Sequence, residues 1–199
     1  IAAAKRGVNV QLIIDSFGSA DTKHSYFDTL VAAGGSYHCF SSRWGLGYFV
    51  RNHQKILIID EAYALVGGFN ISDYYFNRKG DDSWEDLGVV VSGPEVPHLV
   101  EYYDRLDHLS EGGRIKFRAM RRLIREWRPG DGAVQWLLGG PTNRISPLGL
   151  VLKRALEKAK PVDIVAAYFS PSQTILRRIA KVTKLGEGSR LIMAGKTDN

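Results

Sequence analysis

The 199-residue sequence carries 27 Lys and Arg against 21 Asp and Glu, a formal net charge of +6, and is 44% hydrophobic. That length suits one large domain or two small ones with a real core, and the positive balance fits an anionic partner without choosing among them. The single Cys39 excludes an internal disulfide and a cysteine metal cluster, His24, His38, His53, His98 and His108 lack metal-ligand spacing, and no apolar run approaches the roughly 18 residues of a membrane span.

In chain order, residues 1–7 read as the last turns of a helix with Gly7 as its C-cap, so the sequence is expected to begin in mid-domain. Residues 8–15 form a buried strand, 24–33 a helix ended by Gly34-Gly35, and 37–40 a short strand. A loop over 41–52 carries Arg43, Trp44, Tyr48, Phe49 and Arg51, which either contact a substrate or wall a site. Two apolar runs, 55–60 and 63–66, follow with Glu61-Ala62 as a tight connection. Residues 87–92 make another strand, and 94–109 a helix with Pro94 near its first turn. After Gly112-Gly113, Phe117, Met120, Ile124 and Trp127 recur at helical spacing within a stretch rich in arginine. Such a basic amphipathic helix lies on anionic lipid, binds a nucleic-acid backbone, or packs its stripe on the core as a connector. Beyond Pro129-Gly130-Asp131-Gly132 come a strand over 133–138, a helix over 147–160, a strand over 162–167, a helix over 171–184 and a strand over 190–194.

The chemistry concentrates at Asn52-His53-Gln54-Lys55-Ile56-Leu57-Ile58-Ile59-Asp60 and Gly67-Gly68-Phe69-Asn70. If Glu61 and Ala62 are the whole loop, Lys55 lies opposite Gly68 and His53 opposite Asn70. Alternation along the strand then puts His53, Lys55 and Asn70 on one face, with Gly68 leaving open space across from Lys55. Imidazole, ammonium and amide together suit a phosphate: Lys55 and Asn70 hold oxygens, and His53 attacks or donates a proton. Asp60 has the opposite parity and reads as a structural anchor.

These residues resemble the HKD motif of the phospholipase D superfamily, most closely its cardiolipin synthase-like branch. His53, Lys55 and Asp60 match His-x-Lys-x4-Asp, and Gly67-Gly68-x-Asn70 matches the family's Gly-Gly/Ser-x-Asn. The segment from Trp84 to Pro94 is similar to the family's Trp-x-Asp strand and Gly-Pro helix start, and Tyr168-Phe169-Ser170-Pro171 to a segment of its second half. The resemblance implies an α/β fold, layered α-β-α around a mixed sheet, built of two similar halves. It further implies phosphodiester transfer in which one motif's histidine becomes phosphorylated and the other protonates the leaving group. No metal or cofactor takes part, and Asp86 stands where the family has the acidic residue that orients its histidine.

Residues 184–198 echo 5–21, with Leu191-Ile192 falling 179 residues after Leu12-Ile13. The expected organisation is therefore a first half over 1–110 with the complete motif, a basic connector over 111–131, and the front of a second half over 132–199. The same offset from His53 falls near position 232, beyond Asn199, and no second His-x-Lys occurs. The second motif is expected from a missing C-terminal part or from a dimer partner, unless the chain is a non-catalytic relative. The favoured substrate is an anionic phospholipid, with transfer to a second lipid and peripheral contact with a membrane surface. A nuclease of the same superfamily is the alternative, and a binding module for lipid or nucleic acid the third. Localisation is expected to be membrane-associated or cytoplasmic.

Overall fold

A computed structural model describes residues 1–41, 51–76, 83–139, 146–185 and 188–193. Arg43, Trp44, Tyr48 and Phe49 of the anticipated loop, and the last residues of the 184–198 echo, lie outside these segments. The chain divides into two compact units, Ile1–Thr142 and Asn143–Asn199.

In the first unit, α1 (Ala2–Lys5) runs into Gly7, whose φ of +88° makes it the left-handed residue that stops the helix. β1 (Gln11–Asp15) and β2 (Ser36–Phe40) pair in parallel, Gln11 beside Ser36 and Asp15 beside Phe40, and α2 (Ser25–Ala32) makes the crossover between them. β3 (Lys55–Ile59), β4 (Tyr63–Gly67) and β5 (Gly88–Ser92) form an antiparallel sheet in that order, with the short α3 (Asp73–Phe76) in the β4–β5 connection. The protein is thus α/β, with parallel and antiparallel ladders in separate small sheets. β1 is half exposed along its length rather than buried as its apolar sequence suggested.

The β3–β4 register corrects the expected hairpin. Ile59 pairs with Tyr63 and Lys55 with Gly67, so three residues rather than two lie in the loop. Asp60, expected to end the strand, belongs to the turn. Asp60 and Glu61 take φ of +51° and +53°, and Ala62 N–H donates to the Ile59 carbonyl (3.1 Å). The periodicity of the runs could not reveal this, because the extra residue is set by left-handed backbone at non-glycine positions, where only aspartate is a favoured occupant. Lys55 is therefore opposite Gly67, not Gly68, and continued pairing would not align His53 with Asn70.

One face of this sheet (Ile56, Ile58, Ala64, Val66, Val91) joins the core, where α4 (Val96–Ser110) supplies Val96, Leu99, Tyr102 and Leu106. Those four recur at three- to four-residue spacing, the stripe that an amphipathic helix buries. Each large apolar side chain so buried contributes roughly 1.5–3 kcal/mol. α5 (Phe117–Glu126) adds Met120, Leu123 and Ile124 to the same cluster. Residues 133–138 are not a strand. Their partners are side chains and a loop: Trp136 N–H donates to the Pro129 carbonyl (3.0 Å), its Nε1 to the Glu95 carbonyl (2.6 Å), and its carbonyl accepts from Trp127 Nε1 (2.8 Å). Leu138 then fills the first unit's core.

The second unit contains α6 (Pro147–Lys158), β6 (Asp163–Ala166), α7 (Gln173–Leu185) and β7 (Arg190–Met193). Ser146 caps α6 by accepting from Gly149 N–H (3.2 Å), with Pro147 beginning the helix. β6 and β7 are parallel across the α7 crossover, and Arg178 joins α7 to Glu157 of α6 (3.0 Å). β1 and β7 begin at positions aligned by the internal echo, though β6 and β7 are more exposed than their apolar sequences suggested.

Candidate functional site

The candidate site is at the end of the antiparallel sheet where β3 begins and β4 ends. Lys55, Gly67 and Gly88 form one row across its three strands. Two glycines in that row have a packing reason. A Cβ on Gly67 would collide with the Phe69 ring, and one on Gly88 would lie 2.7 Å from it, so the ring covers the place where both side chains would stand. The Phe76 ring meets Phe69 edge-on, with centroids 6.0 Å apart, and ties α3 to the end of β4.

Gly68 has a different neighbour. A Cβ there would come within 2.7 and 2.8 Å of the two carboxylate oxygens of Asp86. Its smallness makes room for Asp86, not the open space across from Lys55 that the sequence suggested. Asp86 itself accepts from Leu87 N–H through Oδ1 (2.6 Å), which fixes the carboxylate just before β5.

Lys55 is half buried, and its Nζ donates to the His53 carbonyl (2.8 Å). Burial lowers its pKa below the ordinary 10.5, while Asp15 and then Asp86 oppose that shift by favouring the ammonium. Asp15 was absent from the sequence-derived site. The available signal was its position at the C-terminal end of β1, where parallel strands commonly direct ligand-binding groups. The next turn is fixed to it, as Phe17 N–H donates to Asp15 Oδ1 (3.1 Å), and the Arg51 guanidinium stacks 3.3 Å from the centre of the Phe17 ring.

His53 is exposed, and among the described residues no carboxylate hydrogen-bonds its ring. Its neighbours hold the backbone instead: Asn52 Oδ1 accepts from Gln54 N–H (3.2 Å), and Gln54 Oε1 accepts from the Tyr102 hydroxyl of α4 (2.7 Å). The buried α4 helix thus secures the residue between His53 and Lys55, a link the motif alone did not reveal. Asn70 is exposed, with its amide 3.4 Å from the Tyr75 hydroxyl. Asp60 is at the far end of the hairpin from Lys55, in the turn. The structure therefore brings Lys55, Asp86, Gly68 and Asp15 together, with the His53 backbone bound to Lys55. It does not join the His53 ring to Asp86. Among the described residues no group of three His, Cys, Asp or Glu side chains gathers as a metal site.

A half-buried ammonium that feels the charges of Asp15 and Asp86, with an exposed imidazole two residues before it, just ahead of β3, is an arrangement that can bind a phosphate and leave a ring nitrogen accessible to phosphorus. The family model described as "Cardiolipin synthase, PLD-like domain" matches residues 1–106, from the start of the chain into α4. Cardiolipin synthase B of Escherichia coli is 28% identical over 206 residues, covering 100% of this chain and 49% of that protein. The same name and figures apply to the Shigella flexneri relative. Cardiolipin synthase A of Pseudomonas fluorescens is 30% identical over 207 residues, covering 98% of this chain and 41% of that protein. The chain spans about half the length of the curated relatives it matches. It belongs to the phospholipase D superfamily, in the family of the cardiolipin synthase PLD-like domain.

Proposed function

We propose that this chain supplies one half of the active site of a phosphatidyltransferase that joins phospholipids in the manner of a cardiolipin synthase. The observation that carries the reading is the complete motif at the β3–β4 hairpin, with Lys55 half buried and its ammonium favoured by the charges of Asp15 and Asp86. Lys55 and Asn70 hold the phosphate oxygens, with Gly68 keeping their surroundings compact around Asp86. His53 works from the exposed segment just before β3 as nucleophile or as proton donor, and the histidine of a second motif takes the other role. That second motif comes from further sequence of a longer protein or from a second copy of the chain.

In the first step a histidine nitrogen bonds to phosphorus as the bond to the departing alcohol oxygen breaks, and the other histidine gives that oxygen its proton. In the second, the same histidine takes a proton from the hydroxyl of a second lipid, whose oxygen bonds to phosphorus and releases the first histidine. Asp86 is assigned to orienting the His53 ring when substrate is bound. Asp60 keeps the hairpin turn. Peripheral contact with an anionic bilayer brings the site to its substrate; among the described residues no helix is long and apolar enough to cross a membrane.

The test uses the longer parent protein with phosphatidylglycerol vesicles. Release of one free glycerol for each diphosphatidylglycerol formed, a product that keeps the four acyl chains of its two precursors, abolished by His53→Ala, is the expected result. Cleavage of DNA in EDTA without any lipid product would replace this reading with a nuclease. Lipid transfer that survives His53→Ala would end it.

A further inference from the structure

The apolar side of α5 is committed to the core. Met120, Leu123 and Ile124 are buried, and Trp127 at its end is 4% exposed. On the opposite side Arg118, Arg122 and Arg125 fall at spacings of four and three residues, so they make one stripe about 10 Å long. All three are exposed. Arg122 and Arg125 share a single carboxylate, Glu126, at 3.0 and 3.6 Å. Exposed Arg114 and Lys116 precede the helix and exposed Arg128 follows it, extending the stripe at both ends. On the neighbouring α4, Glu101 is paired with Arg105, and His108 with Glu111 just past the helix end, which leaves Asp104 as a further exposed carboxylate on α4. None of these cations belongs to the candidate site, and the core needs none of their charges.

We propose that this stripe docks the protein on an anionic membrane surface by charge alone. The choice of a lipid surface over nucleic acid rests on the phospholipid reading above. With its apolar side chains inside the first unit, α5 has none to offer the acyl region, so attachment is electrostatic and reversible. It holds the site close to the surface from which lipid is drawn, yet releases when salt screens the stripe. Screening falls from about 10 Å in 0.1 M salt to about 3 Å in 1 M salt, shorter than the stripe itself. Each cation near an anionic surface strengthens binding about fivefold, so removing three weakens it on the order of a hundredfold.

The experiment is co-sedimentation of the full chain with vesicles of phosphatidylcholine, with and without about one-third phosphatidylglycerol, in about 0.1 M and about 1 M salt. The chain should sediment with the anionic vesicles at low salt and be released at high salt. The Arg118→Gln/Arg122→Gln/Arg125→Gln variant should bind on the order of a hundredfold more weakly, and the corresponding triple Lys variant should retain binding, which separates charge from folding. His53→Ala should bind like the parent, so loss of transfer activity and loss of docking are independent results. Unchanged binding by the triple Gln variant would overturn the proposal. So would equal binding to neutral vesicles, binding that persists in high salt, or displacement from vesicles by duplex DNA at equal phosphate.

Discussion

Replacing Gly68 with alanine separates the packing of the site from the stability of the fold. The added methyl would sit 2.7 and 2.8 Å from the oxygens of Asp86 and 3.2 Å from its carboxyl carbon, so the carboxylate must retreat by roughly half an ångström or more. Asp86 is exposed, and its departure opens no cavity. Alanine at a strand end also reduces the entropy of the unfolded chain, stabilising by about 0.4–1 kcal/mol where the backbone permits. The two effects nearly cancel, and the unfolding midpoint should move by no more than about 4 °C. Activity should respond more strongly, since a misplacement of about 1 Å in a catalytic constellation costs up to about a hundredfold. The expected result is a fall of about ten- to a hundredfold in kcat/KM for lipid transfer by the parent protein, with an unchanged thermal melt. Full activity in Gly68→Ala, alongside inactivity in Asp86→Asn, would refute the argument that Gly68 exists to seat this carboxylate.

Four other outcomes follow from the structure. If Lys55 holds phosphate as the ammonium, as proposed, the burial that keeps its pKa below 10.5 should make transfer activity fade on the alkaline side before an ordinary lysine would titrate. Asp15→Asn removes the larger of two carboxylate contributions favouring the ammonium and should move that alkaline limb toward neutral pH; a shift the other way would show that Asp15 does not act on Lys55. The Tyr103 hydroxyl is buried without a hydrogen-bond partner among the described residues, and burial with Asp107 and Asp104 raises its pKa to about 12. Its folded value lies above the ordinary 10.0, so its contribution is present below that pH and lost as pH rises toward 12. Tyr103→Phe should leave stability at neutral pH equal or up to about 1 kcal/mol higher, and denaturant melts between these two values should lose part of their pH dependence. Leu99 is 2% exposed on the buried side of α4, and Leu99→Ala should cost about 2–5 kcal/mol, read as a lower denaturant midpoint at constant slope.

How much was legible beforehand depended on the range of the interaction. The motif from His53 to Asn70, the helix over α4 and the apolar stripe of α5 are visible in sequence because they follow from alternation or helical periodicity over a few residues. The stretch 133–138 was misleading for the opposite reason. Its apolar alternation resembles a strand, but Trp127, Pro129 and Glu95 supply its hydrogen bonds, and none of these can be identified by local pattern. The half-exposed strands likewise carry apolar residues whose burial the sequence could anticipate but not guarantee.

The sequence by itself determined the residue types of the proposed phosphate site, their common hairpin and the family to which the chain belongs. Tertiary structure decided which of them meet. A single additional turn residue with left-handed backbone moved Lys55 from Gly68 to Gly67. Contacts across strands then gave the two glycines of that row to Phe69 and gave Gly68 to Asp86. Asp15, 40 residues before Lys55, entered the site only because the end of β1 and the start of β3 approach each other in space. Spacing encodes which side of a strand a residue occupies, whereas the neighbour it meets there depends on register and packing between distant segments.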